Sequence, residues 1–353
     1  MRPLLPARRA LEMYLEQIDQ TRRYSNFGPL VLRFEEHLAC RFEAPAGGVI
    51  TACNGTLALS AALAEAAVPG KTKCIVPGWA FVACIRAVEL AGLEPVVADP
   101  DIDRWALDPG AASSLVAKCP DEIAAALLVS PFGAPLDIPV WERWSRELGV
   151  PVVIDAAAGF DTVRASGLPT VVSFHATKPL GVGEGGCIVA SDTKFAQRVR
   201  DRTNFGLPAD APSDGFAANA KMSEFSAAVG LAALDGWEER RAALARVARG
   251  YLSDARLIRS GSFQAGFGES WIGATANIKL NKEAAEMAAR RLSDAGIETR
   301  RWWAKGTLWR LGERGDGLDL PVSRELDRTV LGLPFYHDLT PSEQDQVIRA
   351  LAG

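Results

Sequence analysis

A chain of 353 residues, 48% hydrophobic and 23% charged, has the size and balance of a soluble globular protein with one large domain and a smaller one. A net charge of −4 gives no reason to expect nucleic acid or an acidic membrane surface as a partner. The longest apolar run, near Ile123–Val129, is far short of the ~20 residues of a membrane span, and Met1–Arg9 lacks an apolar signal core, so a cytoplasmic location is expected.

Residues 7–25 read as an amphipathic helix, with Leu11, Tyr14, Leu15 and Ile18 at helical spacing. Tyr24-Ser25-Asn26-Phe27-Gly28-Pro29 breaks it, either as a plain turn or as a substrate loop, and a second helix carries Leu32, Phe34, Leu38 and Phe42. Val49–Cys53 reads as a strand, and Asn54-Gly55-Thr56 turns it into an alanine-rich helix from Leu57 to Ala67. A strand, a Gly-Thr turn and a helix can bind phosphate, because free backbone N–H groups and the helix dipole face an anion there; an ordinary N-cap threonine would look the same. Cys74–Pro77 is the next strand, and Gly78-Trp79-Ala80-Phe81 leads into a helix ending near Gly92. Phe81 is either core or a plate for a flat heteroaromatic ring.

Pro95–Asp99, Ala125–Val129 and Val150–Asp155 are continuous apolar runs, the pattern of parallel strands covered on both faces, with Trp141–Leu148 as one covering helix. Ligands in such sheets sit at the carboxyl ends of strands, where Asp155 falls. Thr170–Val172 and Cys187–Ala190 are further strands flanking Ser173-Phe174-His175-Ala176-Thr177-Lys178 and the glycine-rich Gly181–Gly186. A lysine in such a turn is disfavoured unless it is paired or chemically used.

Lys194–Asn204 is helical, Gly215–Lys221 is a loop holding Asn219, and Ser223 starts a helical run toward Leu257. Phe225, Val229, Ala233 and Trp237 recur along one face of that run. The Arg- and Glu-rich stretch after it puts a domain boundary near Asp235, with a large domain over 1–235 and a small one over 236–353. The remainder alternates: strand Ala274–Leu280, helix Lys282–Ala295 closed by Gly296, strand Leu331–Pro334, and a last helix opened by the capping box Thr340-Pro341-Ser342-Glu343. Six cysteines without a Cys-x-x-Cys pair read as buried thiols, and three scattered histidines make a metal site improbable.

The strand-end residues answer the needs of one cofactor, pyridoxal phosphate. Lys178 would hold it as an imine and shuttle a proton, and Asp155 would pair with the ring nitrogen. Gly55, Thr56 and Ser173 would take the phosphate, and Phe81 would cover one ring face. This order is that of fold-type I pyridoxal phosphate enzymes. A nicotinamide-binding fold is disfavoured because no Gly-x-Gly-x-x-Gly follows the first strand.

The chain resembles the DegT/DnrJ/EryC1/StrS sugar aminotransferases over nearly its whole length. The resemblance is carried by Asn26–Pro29 with Phe34-Glu35, Asn54–Leu59, Pro77–Ala83, Asp155–Ala157, Ser173–Lys178 with Gly183–Gly186, Asn219–Glu224, Gly296–Arg300 and Leu333–Tyr336. It implies an α/β fold of type I: a mostly parallel seven-stranded sheet sandwiched by helices, plus a smaller α+β C-terminal domain. It also implies a homodimer with shared active sites, in which Lys178, Asp155, Phe81, Gly55, Thr56 and Ser173 take the roles given above and Asn219 reaches the phosphate of the neighbouring subunit. The substrates it implies are a nucleotide-linked keto-deoxysugar and L-glutamate, with pyridoxamine phosphate as the intermediate form of the cofactor.

Two positions depart from the family pattern. Ala158 stands where many members have a glutamine that contacts the ring hydroxyl, and Ala80 stands where a threonine is usual. His175, three residues before the lysine, is more like members that act at sugar C4, and it is either catalytic, substrate-facing or a satisfied strand-end histidine. Arg300, Trp302 and Trp303 either line a sugar-nucleotide pocket or, as the favoured reading, pack in the core or on the surface. The expected activity is amination of an NDP-4-keto-6-deoxyhexose, for lipopolysaccharide, O-antigen, capsule or another glycan. Amination at C3 and a non-catalytic regulatory protein of the same fold are the alternatives; a dehydratase is opposed by Lys178.

Overall fold

The computed structural model describes residues 2–207, 215–303, 306–307, 310 and 318–353. Its centre is a seven-stranded sheet of β1 (Val49–Ala52), β2 (Lys73–Pro77), β3 (Glu94–Ala98), β4 (Ile123–Val129), β5 (Val152–Asp155), β6 (Thr170–Ser173) and β7 (Gly186–Val189), in the order β1-β7-β6-β5-β4-β2-β3. Strands β3, β2, β4, β5 and β6 run parallel, and β7 is antiparallel to both its neighbours. Alternate side chains of a strand go to opposite faces. Val152 and Ile154 accordingly join one hydrophobic core, and Val153 joins the other. Both faces are covered, which is why these strands read as unbroken apolar runs rather than alternating ones.

Helices α1 (Arg8–Thr21), α2 (Pro29–Arg41), α3 (Gly55–Ala66), α4 (Val82–Leu90), α5 (Pro109–Lys118), α6 (Ile138–Leu148), α7 (Thr193–Thr203) and α8 (Glu224–Asp235) surround the sheet. The first helix is shorter than its sequence pattern, with Arg22 as its left-handed C-cap. The Tyr24–Pro29 break is a bend that leads into α2. Its N-cap Gly28 has no side-chain bond to offer, so Glu224 supplies one from a distance, accepting the Leu30 N–H at 2.9 Å and the Val31 N–H at 2.8 Å. Helix α5 gave no apolar stripe long enough to stand out; Asp108 caps it by accepting from Ala111 N–H.

The helical run expected from Ser223 to Leu257 is three helices. Helix α8 ends at Asp235, Gly236 separates it from α9 (Trp237–Leu252), and α10 (Ala255–Ser260) follows an Asp254 cap. Its buried stripe also differs from the expected one. Ala227, Ala228, Leu231 and Ala232 face the core, while Phe225 is half exposed and stacks on Tyr24. The four-residue recurrence of Phe225, Val229 and Ala233 traced the neighbouring face.

A second sheet of β8 (Ser262–Phe263), β9 (Ala276–Lys279) and β10 (Val330–Leu333) is antiparallel, and with α9, α11 (Lys282–Asp294) and the helix Pro341–Ala352 it encloses another core. Thr340 and Glu343 form the capping box of that last helix. Asp161 joins this region to the β5 loop, accepting from Arg241 Nε at 2.7 Å and from the Ile272 N–H at 3.0 Å. Trp302 and Trp303 pack beside Trp79, Trp105 and Phe132, with Trp303 stacked on Phe132 at 4.4 Å. Among the six cysteines, all free, Cys40 is exposed and Cys53 and Cys119 are half-buried; only Cys74, Cys84 and Cys187 are the buried thiols expected of all six. Among the described residues no helix is long and apolar enough to cross a membrane, and no cluster of ligating side chains could hold a metal.

Candidate active site

The carboxyl ends of β1, β5 and β6 bring the strand-end residues together. After β1 the chain turns at Asn54, whose side chain accepts the Leu57 N–H at 2.9 Å and starts α3. The first-turn N–H groups of a helix have no partner within it. With Asn54 committed to Leu57, those of Gly55 and Thr56 remain to face an anion. Gly186 pairs with both Ala52 and Ser173, so it lies between the phosphate turn and the serine. A Cβ on Gly186 would come within 2.8 Å of the Gly55 backbone, and a Cβ on Gly55 would come within 3.0 Å of Ser173 Cβ. The two glycines therefore let the N-terminus of α3 rest against Ser173, which no larger residue would permit.

Ser173 is tied in turn to the aspartate loop and to the lysine turn. Its N–H donates to the Ala157 carbonyl at 3.3 Å, its Oγ accepts from the His175 N–H at 3.3 Å, and the Lys178 N–H donates to the His175 carbonyl at 2.8 Å. Asp155 ends β5 and is buried. Its Oδ1 accepts from the Ala157 N–H at 2.9 Å and its Oδ2 from the Cys84 thiol at 3.1 Å. Cys84 is in the first turn of α4, with its N–H bonded to the carbonyl of Phe81, the N-cap. Phe81 is thus one helical turn from the group that touches Asp155, and its ring is 53% exposed, open to a flat partner.

The electrostatics follow from burial. The Lys178 amine is surrounded by protein although part of the residue remains accessible; burial lowers its pKa, and Asp155 and Cys84 push it back up. Burial raises the Asp155 carboxyl, opposed by the Cys84 thiol, by Lys178 and by the Ala157 N–H. Each group favours its neutral form alone and its charged form beside a counter-charge, which suits a lysine used as a nucleophile and a carboxylate awaiting a cation.

The family pattern matches over residues 8–352. The chain belongs to the DegT/DnrJ/EryC1/StrS aminotransferase family. It is a pyridoxal phosphate-dependent aminotransferase of fold type I. Protein Rv3402c of Mycobacterium tuberculosis is 30% identical over 99% of this chain and 88% of that protein. The dTDP-4-amino-4,6-dideoxy-D-glucose transaminase of Shigella dysenteriae is 31% identical over 66% of this chain and 63% of that enzyme. Among solved structures, DesI with its TDP-sugar product superposes with a TM-score of 0.87 at 28% identity, covering 99% of this chain and 91% of DesI.

The aminotransferase site has a cradle suited to the cofactor. The glycine contact sets the start of α3 against Ser173, the carboxylate is buried and oriented, and the lysine amine is desolvated. His175 is half-buried at the edge of this group, with Nδ1 2.8 Å from Thr177 Oγ1 and Nε2 3.8 Å from the Glu184 carboxylate. Asn219 is exposed. It bridges Asn204 by backbone pairing, and the next residue, Ala220, accepts from the Cys53 N–H at 2.7 Å, so Asn219 stands at the rim beside the phosphate turn of its own chain. The residue that sequence reasoning missed is Cys84. Its spacing from Phe81, three residues into a helix that starts at a strand end, was the available signal, but a cysteine in an apolar helix reads as core.

Proposed function

We propose that this aminotransferase moves an amino group from L-glutamate to a nucleotide-linked 4-keto-6-deoxyhexose, as a homodimer with shared active sites, making an amino sugar for a surface glycan such as an O-antigen. The observation that carries the reading is that the desolvated Lys178 amine and the buried Asp155 carboxylate lie close enough to shift each other's protonation, beside the Gly55–Ser173 cradle. The preference for C4 rests on His175 and on the 4-amino sugar in the name of the Shigella relative. Half-exposed Phe81, Phe205 and Phe225 are surfaces that a second subunit would cover, and exposed Asn219 is available to reach across to it.

In this reading Gly55 and Thr56 N–H groups and Ser173 Oγ hold the phosphate. Phe81 would cover one ring face, and the Asp155 carboxylate would hold the proton of the ring nitrogen. Bound pyridoxal phosphate supplies a carbonyl for amine capture and a ring that withdraws electrons. Lys178 Nζ, desolvated and therefore readily neutral, would be the amine that condenses with that carbonyl, with loss of water. Displaced from the cofactor by the amino group of glutamate, the same Nζ would take the proton from the glutamate α-carbon and in the return half-reaction deliver one to the sugar carbon. His175 lies on the open side of the lysine turn, placed to face the sugar. Ala158 offers no polar group to the ring hydroxyl, so water or substrate takes the place of a side chain there.

The deciding experiment incubates the enzyme with glutamate and UDP-, GDP- and dTDP-linked 4-keto or 3-keto deoxysugars, reading products by mass spectrometry and NMR. Glutamate-dependent amination at C4 is expected. An amine at C3, or no aminated sugar from any donor, would refute the assignment.

A further inference from the structure

Cys84 is fully buried in the core cluster that includes Cys74, Ala87, Val88 and Val153, where a thiol would ordinarily be inert packing. Its Sγ is nevertheless 3.1 Å from Asp155 Oδ2. The other carboxylate oxygen is held by the Ala157 N–H, so each oxygen has one protein donor and the side chain has a fixed orientation. Burial and the neighbouring carboxylate both raise the thiol's pKa, so Cys84 remains an S–H and acts only as a donor. A thiol is the weakest donor of its size, whereas an O–H bonded to a carboxylate is short and strong. Charge that a carboxylate gives to one donor is lost to any other.

We propose that Cys84 is a positioning residue for the ring-nitrogen contact: it fixes the Asp155 carboxylate by a bond weak enough to leave most of its charge for the cofactor. The inference rests on Asp155 being the partner of the ring nitrogen. Cys84→Ser keeps the orientation and strengthens the competing bond, so Asp155 holds the ring proton less firmly. A less cationic ring withdraws fewer electrons from the nitrogen joining it to Lys178. The pH at which the visible absorbance of the bound cofactor titrates should then rise by about half a unit, about threefold in the equilibrium. Cys84→Ala removes the competing donor and should move that titration downward. Opposite shifts are not what loosened packing produces.

The experiment titrates the bound-cofactor absorbance of wild type, Cys84→Ser and Cys84→Ala, and measures pyridoxamine phosphate affinity of the apoenzymes by fluorescence. A cofactor-free arm follows the Cys84 S–H stretch by infrared or Raman spectroscopy, identified by its loss in Cys84→Ser. That band should lie below those of the other buried thiols and move up in Asp155→Asn. Titrations unmoved in both variants, or shifted in one direction, overturn the proposal while leaving the cofactor site standing, as does an S–H band indifferent to Asp155→Asn. Wild-type enzyme without a Lys178-dependent absorbance overturns the cofactor reading and this inference with it.

Discussion

Gly55 and Ser173 approach so closely that a single added methyl on the glycine would lie 3.0 Å from the serine Cβ and 3.3 Å from its Oγ. Gly55→Ala must displace Ser173 or the start of α3, and forcing a methyl into such a contact costs about 1–3 kcal/mol. Because both displaced groups belong to the proposed phosphate cradle, Gly55→Ala should lower the thermal stability of the apoenzyme and also weaken cofactor binding, about tenfold or more in Kd. Equilibrium dialysis of pyridoxamine phosphate against the apoenzyme checks this. A variant that binds the cofactor as tightly as wild type would place the phosphate elsewhere.

The Lys178 amine is nucleophilic only when neutral, so capture of pyridoxal phosphate by the apoenzyme should accelerate as pH rises through the lysine's depressed pKa and level off above it. Burial lowers that pKa and Asp155 is the main group pushing it back up. Asp155→Asn removes the push, so its capture profile should lie at lower pH than wild type. The same variant should lose affinity for pyridoxamine phosphate, which has no carbonyl to react with Lys178 and depends on the ring-nitrogen contact. Stopped-flow absorbance measures the first effect and fluorescence titration the second. Coincident capture profiles would show that the two side chains do not sense each other.

Much of this architecture could be read from the chain because the sheet is covered on both faces. Its strands are apolar runs such as Ile123–Val129, and three of them end at residues with different chemistry: Asp155, Ser173 and the Asn54 turn. What escaped depends on contacts between distant segments. No local pattern shows that Glu224 caps a helix almost two hundred residues earlier, or that Cys84 touches Asp155. The single long helix expected after Ser223 failed for a local reason: Gly236 interrupts a stretch whose alanines and leucines otherwise favour continuation. Phenylalanine and valine mark the more hydrophobic stripe of α8 in the sequence, whereas the helix packs on α2 and α1 through its small alanines and Leu231.

Glu224 is fully buried, with one carboxylate oxygen on the Leu30 N–H and the other on the Val31 N–H. Glu224→Ala leaves both donors buried without an acceptor, at about 1–3 kcal/mol each. Glu224→Gln keeps one acceptor and should cost about half as much. Gly28→Ala approaches the same defect from the other side, because its methyl would lie 2.6 Å from the Glu224 carboxyl carbon. All three should lower the denaturation midpoint in the order Ala at 224, then Gln at 224, measured by urea titration, with Gly28→Ala also below wild type. Equal stabilities of Glu224→Ala and Glu224→Gln would show that the remote cap contributes through its volume alone.

Asp161 links the loop that follows Asp155 to the region around the second sheet, accepting from Arg241 Nε, the Ile272 N–H and, at 3.4 Å, Arg41 Nη2. Its side chain is 4% exposed, against 33% for Arg241 and 22% for Arg41, so removing the carboxylate strands two cations whose alternative is partial hydration. Breaking one side of a buried pair costs about 3–5 kcal/mol, and the partial exposure of Arg241 places Asp161→Ala toward the lower end. Asp161→Asn retains an oxygen for Ile272 N–H and should lose less. The double variant Asp161→Ala with Arg241→Met should recover part of the loss, because only the more distant Arg41 is then left facing the gap. A thermal-denaturation cycle of the four proteins reads the coupling directly. If the double variant is as unstable as the sum of its parts, the link between the β5 loop and the second sheet lies in the Ile272 hydrogen bond and not in the ion pair.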